Sequence, residues 1–238
     1  MDNRPIGFFD SGIGGLTSVP YLMRMMPEER IIFFGDTART PYGSKSTSTI
    51  KQFTMQIGEF LARQNVKMMV IACNTISATC IEELRRAYPD IPVVGVISPT
   101  ARVIAKDCRP SDNIGILATK ATVRSGAYEK KILEKNPSMD NLHSIACPAF
   151  VPLIEEGIIN HKIMDLTIKY YLDDFMDEYK IDTLVLGCTH YPLIAENLRR
   201  IYPGVRIISS SQEVATAVGI ELESRNMEAD KREKENVF

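Results

Sequence analysis

The sequence lacks the features that mark several large classes of protein. Its 238 residues include no apolar run long enough to span a bilayer, and the residues after Met1 are too polar for an export signal. The formal net charge is only −2, and the basic residues are scattered rather than gathered into a stripe. We therefore expect neither a membrane nor a nucleic acid as a partner.

The cysteines also lack the spacing of metal and redox sites. There are five, an odd number, and no two of them form a C-x₂₋₄-C or C-x-x-C pair. In a chain for which we expect no export signal, reduced thiols are a better interpretation than a disulfide framework. We expect a cytoplasmic protein with free thiols and no bound metal.

Short apolar runs alternate along the chain with longer amphipathic stretches. The short runs are typical of parallel strands that are buried on both faces. The stretches Ser48–Gln64 and Ile76–Tyr88 have apolar residues at spacings of three and four, which predicts helices. The sequence therefore predicts an α/β fold. The predicted strands are Ile6–Phe9, Ile31–Phe34, Met68–Ile71, Val93–Val96, Ile114–Leu117, Thr183–Leu186 and Val205–Ile208.

A weak internal repeat indicates two similar lobes. Residues 6–11 align with residues 114–119, and residues 70–75 align with residues 185–190. We predict that each lobe is a mainly parallel sheet flanked by helices, with the active site in the cleft between the lobes.

The lobe boundaries follow from where the chain crosses over. Pro99 follows a predicted strand, and the serines at 209–211 return the chain to the first lobe. The predicted lobes are therefore residues 1–97 plus 209–238, and residues 98–208. The charged residues 223–235 are predicted to form a solvated helix end or a frayed tail.

Polar residues follow the first two predicted strands, with Asp10 after the first and Asp36 after the second. Asp10 opens a glycine-rich loop that leads into a helix predicted to begin near Leu16 or Thr17. Ligands bind at this edge of open α/β sheets, and glycines allow backbone N–H groups to approach an anion. A simple glycine turn is equally consistent, because Thr17 stands where a dinucleotide fingerprint has Gly or Ala.

Cys73 and Cys188 occupy matching positions in the two halves. Each follows an apolar strand and precedes a polar turn and a helix. In this setting a thiol points into the cleft, and a helix N-terminus and polar neighbours can lower its pKa from about 8.5. Cys80, Cys108 and Cys147 have no comparable setting, and we interpret them as packing residues.

Several chemistries are compatible with one such cysteine, but fewer are compatible with two. Zinc would need a partner pair beyond Cys188 and His190. A single nucleophilic thiol activated by His190 leaves Cys73 without a role. Two facing thiols can act as base and acid on opposite faces of one carbon, with backbone N–H groups and nearby polar side chains stabilising the α-carboxylate. The side chains placed for this are those of Asn74, Thr75, Thr119, Thr122 and Thr189.

Together these motifs resemble the glutamate racemase family of bacterial cell-wall synthesis, which uses neither pyridoxal phosphate nor a metal. The segments that carry the resemblance are 10–16, 35–37 with 41–43, 72–78 and 187–193. The resemblance implies cofactor-independent, two-base interconversion of L- and D-glutamate by a homodimer, which supplies D-glutamate for peptidoglycan. A related aspartate or hydantoin racemase, and a catalytically silent binding protein, remain as alternatives.

The resemblance also implies roles for individual residues. Cys73 and Cys188 would be the proton donor and acceptor, with Asp10 assisting the first and His190 the second. A family glutamate after a Phe-Val-Pro-Leu segment corresponds to Glu155 or to its neighbour Glu156, and Asp36 would lie near the cleft. The implied substrate contacts are Asp10, Ser11, Pro41, Tyr42, Gly43, Asn74, Thr75, Thr119, Thr122, Thr189 and His190.

Overall fold

The fold consists of two separate four-stranded sheets in which all neighbouring strands are parallel. The computed structural model describes residues 1–231 and 235–238 of the chain. The first sheet, in the order β2-β1-β3-β4, is formed by β1 (Ile6–Asp10), β2 (Ile31–Gly35), β3 (Met68–Ile71) and β4 (Val93–Gly95). The second, in the order β6-β5-β7-β8, is formed by β5 (Ile114–Ala118), β6 (Leu142–Ala146), β7 (Thr183–Gly187) and β8 (Arg206–Ser209). The identical strand orders confirm the predicted α/β fold with two similar lobes.

Each predicted strand overlaps a strand of the structure, but β6 was not predicted. Its sequence, Leu-His-Ser-Ile-Ala, is interrupted by two polar residues, and all five residues are only half-buried because the strand lies at the edge of its sheet. It therefore has no continuous apolar run of the kind that identified the other strands.

Helices flank both sheets. Their bounds are α1 (Val19–Met25), α2 (Thr47–Arg63), α3 (Asn74–Thr79), α4 (Ile81–Ala87), α5 (Ile97–Asp107), α6 (Lys120–Ser125), α7 (Ala127–Lys135), α8 (Phe150–Glu155), α9 (Lys162–Tyr179), α10 (Ala195–Ile201) and α11 (Ser210–Ser224). Short 3₁₀ helices cover Gly14–Thr17 and Tyr191–Ile194. Among the described residues, no helix combines the length and the low polarity needed to cross a bilayer.

Helix α2 shows how the sequence specifies these elements. The side chain of Ser46 caps its N-terminus by accepting a hydrogen bond from the Thr49 amide at 3.2 Å. Ile50, Ile57 and Leu61 then recur at helical spacing and are buried. The predicted bounds of this helix were therefore correct to within one residue at each end.

Two helix predictions need correction. The predicted helix Ile76–Tyr88 is two helices, α3 and α4, because the backbone of Cys80 between them is not helical (φ −136°, ψ 2°). The helix after the glycine loop begins earlier than predicted, as the 3₁₀ helix Gly14–Thr17, and becomes α-helical only at Val19. The 3₁₀ segment keeps the turn after Asp10 tight.

A shared apolar core joins the two sheets. It contains Phe8 from the first sheet and Ile116 from the second, together with Ile104 of α5 and Val218 of α11. Helix α5 packs on α7 and α11, and α11 also packs on α1. This core fixes the carboxyl ends of the two sheets relative to each other, because protein interiors are too densely packed to slide freely.

Residues 223–235 were expected to form a solvated helix end or a frayed tail; α11 ends at Ser224, and most of the described residues in this range are exposed. Val237 forms a parallel bridge with Ile32 at the outer edge of β2. The Ala229 amide donates to Glu29 Oε1 at 2.8 Å, and the buried Lys67 ammonium lies 2.7 Å from Glu29 Oε2. Backbone pairing at Val237 and the hydrogen bond from Ala229 to the buried Glu29 therefore hold parts of this segment, while residues 232–234 lie outside the described residues.

Candidate active site

Cys73 and Cys188 line the same cavity. Cys73 lies two residues beyond β3, and Cys188 directly follows β7, so each stands at the carboxyl end of a strand. The cavity is narrow, with a volume of about 20 Å³. The structure thus brings together the two cysteines that the repeat pattern singled out. The lining residues are Ser11, Thr40, Pro41, Tyr42, Gly43, Cys73, Asn74, Thr75, Thr119, Val151, Cys188, Thr189 and His190.

The Cys73 thiol lies beside a hydroxyl and a carboxylate. Its Sγ is 3.3 Å from Ser11 Oγ. Burial and, to a smaller extent, the negative charge of Asp10 together raise the pKa of Cys73 to about 12, although the Ser11 hydroxyl lowers it. This thiol therefore holds its proton firmly.

Asp10 lies behind the cavity lining and is completely buried. Its Oδ2 accepts hydrogen bonds from the Gly15 amide at 2.9 Å and from the Thr189 hydroxyl at 3.5 Å. Its Oδ1 is buried without a hydrogen-bond partner among the described residues. Burial raises the pKa of this carboxyl, although the nearby His190 and the Gly15 amide lower it. A buried oxygen without a hydrogen bond costs free energy, so Asp10 Oδ1 would be stabilised by a hydrogen bond from a further donor.

The Cys188 thiol has a different set of partners. Its Sγ is 3.9 Å from His190 Nδ1, and His190 Nε2 is 3.0 Å from Glu155 Oε1. Burial raises the pKa of Cys188, and the charges of Cys73 and Asp10 add to this effect. Of the two neighbouring glutamates, Glu155 is the one recorded in contact with His190 among the described residues. Glu155 reaches the imidazole from the side away from the sulfur, behind the cavity lining.

The expectation that the thiols have lowered pKa values is wrong for this structure. Both sulfur atoms are buried where the two lobes meet, and the cost of placing a charge there outweighs the neighbouring hydrogen-bond donors. Cys188 lies in an apolar cluster of residues from its own half of the chain, and Cys73 lies in one made almost entirely of first-half residues, so much of the burial comes from each thiol's own lobe.

A cluster of threonine hydroxyls crosses the cleft. Thr75 Oγ1 lies 2.9 Å from Thr119 Oγ1 and 3.5 Å from Thr122 Oγ1. The Gly43 carbonyl also crosses the cleft, where it accepts a hydrogen bond from the Ala121 amide at 3.0 Å. Thr75 and Thr119 line the cavity, whereas Thr122 supports them from behind.

The loop that contains Pro41 and Gly43 is held by a buried polar contact. The Tyr42 hydroxyl donates to Asp36 Oδ2, and Asp36 also pairs with Arg39 at 2.6 Å. Burial raises the pKa of Tyr42, and Asp36 raises it further. The phenol group of Tyr42 is thus engaged with Asp36, and Asp36 lies near the cleft as expected.

Some residues of the site were missed in the sequence. Thr40 and Val151 line the cavity, although Thr40 only adjoins an identified motif and Val151 lies within the Phe-Val-Pro-Leu segment without an assigned role. Asn74 is oriented by two buried hydroxyls, with Tyr128 OH donating to its Oδ1 at 2.6 Å and its Nδ2 donating to Ser210 Oγ at 3.1 Å. No sequence pattern links these three residues, because they come from α3, α7 and α11.

The interpretation of Cys147 needs a partial correction. It directly follows β6 and precedes α8, which is the strand–turn–helix setting that it was thought to lack. The setting went unrecognised because β6 itself was missed. Cys147 is nevertheless completely buried and is not among the residues that line the cavity.

Comparisons with known proteins identify the family of the chain. The family model described as Asp/Glu/Hydantoin racemase matches residues 20–218. A glutamate racemase of Persephonella marina is 42% identical over 233 residues, which cover 98% of this chain and 86% of the relative. A glutamate racemase of Neisseria meningitidis is 48% identical over 209 residues, which cover 87% of this chain and 76% of the relative.

A solved structure is similar over almost the whole chain. The glutamate racemase of Francisella tularensis, in complex with D-glutamate, superposes with a TM-score of 0.92 at 41% identity and covers 99% of this chain and 87% of that one. The fold and site thus define a two-lobed amino-acid racemase, an isomerase. The chain belongs to the Asp/Glu/Hydantoin racemase family, and its curated relatives are glutamate racemases.

Proposed function

We propose that this protein interconverts L- and D-glutamate by proton transfer at the α-carbon between Cys73 and Cys188. The observation that carries the proposal is that thiols from two different sheets line one cavity. Inversion needs a base on one face of the carbon and an acid on the other. Each sulfur would then lie about 3–3.5 Å from the α-carbon in the reactive complex.

The substrate itself helps to ionise the thiols. Burial raises the pKa of both, so each thiolate needs a nearby positive charge. The α-ammonium group of a bound amino acid supplies that charge inside the cavity. Asp10, with its unpaired Oδ1, assists at Cys73, and His190, backed by Glu155, assists at Cys188.

The remaining lining residues bind the two carboxylates. Hydroxyl and amide donors can stabilise the α-carboxylate as it gains enolate character, in the manner of an oxyanion hole. Thr122 acts through Thr75 and Thr119, to which its hydroxyl is close. The proposed contacts, including the loop residues, are Ser11, Pro41, Tyr42, Gly43, Asn74, Thr75, Thr119, Thr189 and His190.

The choice of glutamate rests on the relatives. The curated relatives are named glutamate racemases, and the Francisella tularensis structure contains D-glutamate. We also propose that the enzyme acts in the cytoplasm as a homodimer and supplies D-glutamate for peptidoglycan. The five free cysteines are consistent with a reducing compartment. The lobes would comprise residues 1–97 plus 209–238, and residues 98–208.

The test is circular dichroism of D-glutamate incubated with the purified protein, in parallel with proton NMR in deuterated water. We expect the optical signal to decay to zero while one solvent deuterium enters at the α-carbon. Activity on aspartate but not on glutamate would overturn the substrate assignment. Binding of glutamate without deuterium incorporation would identify a binding protein instead.

A further inference from the structure

The loops that follow Asp10 and Cys188 meet at a hydroxyl that lies outside the cavity. Thr17 ends the 3₁₀ helix that follows Asp10. Its Oγ1 lies 2.9 Å from the Gly14 carbonyl oxygen, 3.2 Å from the Thr189 carbonyl oxygen and 2.9 Å from Ser211 Oγ. Three segments, from the first lobe, the second lobe and the start of α11, therefore meet at one side chain.

These contacts exceed what a local helix cap needs. The Gly14 carbonyl alone would satisfy the single proton of the Thr17 hydroxyl. Thr189 and Ser211 are 172 and 194 residues away in the sequence, and Ser211 is 99% buried, with 1% exposure. When the Ser211 hydroxyl donates to Thr17 Oγ1, the proton of the Thr17 hydroxyl remains available to the Gly14 carbonyl or the Thr189 carbonyl. The Thr17 hydroxyl therefore connects the loop after Asp10 with the loop after Cys188.

The two loops are also in tight steric contact at this point. A Cβ atom on Gly14 would lie 2.6 Å from Thr189 Oγ1 and 2.7 Å from the His190 ring. Thr189 Oγ1 in turn approaches Asp10 Oδ2. A shift of the Thr189 backbone would therefore move Cys188, to which it is directly bonded, relative to Asp10.

We propose that Thr17 and Ser211 are positioning residues that hold the Cys188 loop against the Asp10 loop and so set the geometry between the two thiols. The inference rests on the proposed two-thiol racemisation. Neither residue lines the cavity, so both act through the Thr189 backbone. A misplacement of about 1 Å can cost about 10²-fold in rate, which makes such a contact consequential.

The test compares Thr17→Val, which removes the hydroxyl at similar size, with Thr17→Ser, which keeps it. Ser211→Ala and the double variant complete the set. Thr167→Val is the matched control, because the Thr167 hydroxyl donates to a carbonyl within α9. We expect Thr17→Val and Ser211→Ala each to lower kcat about tenfold with little change in KM. Thr17→Ser should restore activity, and the double variant should lose less than the product of the single losses.

Isotope effects separate positioning from a general loss of folded protein. Substrate deuterated at the α-carbon reports the step that removes the deuterium. If Cys188 is displaced, its proton transfers slow relative to those of Cys73. The primary isotope effect should then rise in the direction in which Cys188 removes the proton and fall in the other direction. A loss of active protein would leave both isotope effects unchanged.

A second measurement does not depend on racemisation. In a Cys73→Ala background, the rate of Cys188 alkylation by iodoacetamide should change several-fold with Thr17→Val and not with Thr167→Val. If wild-type protein did not racemise glutamate but this rate changed, the proposed function would fail while the positioning role stood. Unchanged alkylation together with unchanged isotope effects would overturn the inference.

Discussion

The Cys73 side and the Cys188 side of the cavity share a backbone plan but not their chemistry. Each cysteine follows the strand beside the first strand of its sheet, β3 beside β1 and β7 beside β5. At the matching ends of those first strands, however, β1 carries Asp10 and β5 carries Ala118. The first lobe thus places a carboxylate beside its thiol. The second relies on His190 from the cysteine loop and Glu155 from α8.

This difference separates what the repeated fold supplies from what individual side chains supply. The repeated strand order presents two thiols to one cavity. Burial then raises the pKa of both, so burial does not distinguish them. The neighbouring side chains distinguish the two thiols, because a carboxylate acts on the Cys73 side and an imidazole–carboxylate pair acts on the Cys188 side. We infer that the two proton transfers are assisted differently although the cysteines exchange roles with the direction of reaction.

The largest expected effect comes from removing either thiol. Cys73→Ala and Cys188→Ala should each lower racemisation about 10⁴-fold, the upper end of the range for a positioned acid or base, because each leaves one face of the carbon without a proton carrier. The measurement is the initial rate of change in optical activity from both enantiomers. Cys80→Ala is the control, since that buried thiol is not among the cavity-lining residues, and it should be nearly silent. Full activity in either active-site variant would break the comparison.

The sequence predicted the repeated strand order of the two lobes better than it predicted the side-chain partners that distinguish the two cysteines. Strands buried on both faces leave continuous apolar runs, so the strand that ends at Asp10 and the strands that precede Cys73 and Cys188 were found, whereas the half-buried edge strand β6 was not. Contacts such as Asn74 to Tyr128 depend on how the lobes meet, which no local pattern encodes. The direction of the thiol pKa shifts was also wrong, because a local pattern does not show how deeply the residues at a strand end are buried.

A smaller effect is expected at Gly14, where the first lobe lies in close contact with the loop that follows Cys188. In Gly14→Ala the added Cβ would lie 2.6–2.7 Å from Thr189 and His190, so the Cys188 loop must shift. We expect kcat to fall about 10²-fold while the circular dichroism spectrum of the fold is retained. The control is Gly219→Ala within α11, where the new Cβ would meet only Met26 at 3.6 Å. This control should keep full activity and gain about 0.5–1 kcal/mol in the free energy of unfolding. Wild-type activity in Gly14→Ala would show that the loop tolerates displacement.

The smallest effect on rate, and the sharpest test of the comparison, comes from Asp10→Asn against Glu155→Gln. Each should lower kcat/KM about tenfold, but only Asp10→Asn should change Cys73. The charge of Asp10 helps to raise the pKa of Cys73 to about 12, so removing that charge lowers this pKa. At pH 9 more Cys73 would then be thiolate.

In a Cys188→Ala background, the alkylation of Cys73 by iodoacetamide, followed by mass spectrometry, should be faster in Asp10→Asn than with Asp10 present. Asp10→Asn would thus slow racemisation in the intact site while speeding the alkylation of Cys73. Glu155→Gln should leave the alkylation profile of Cys73 unchanged, because Glu155 contacts the imidazole on the other side. Equal responses of Cys73 to both substitutions would mean that the two sides are not independently assisted.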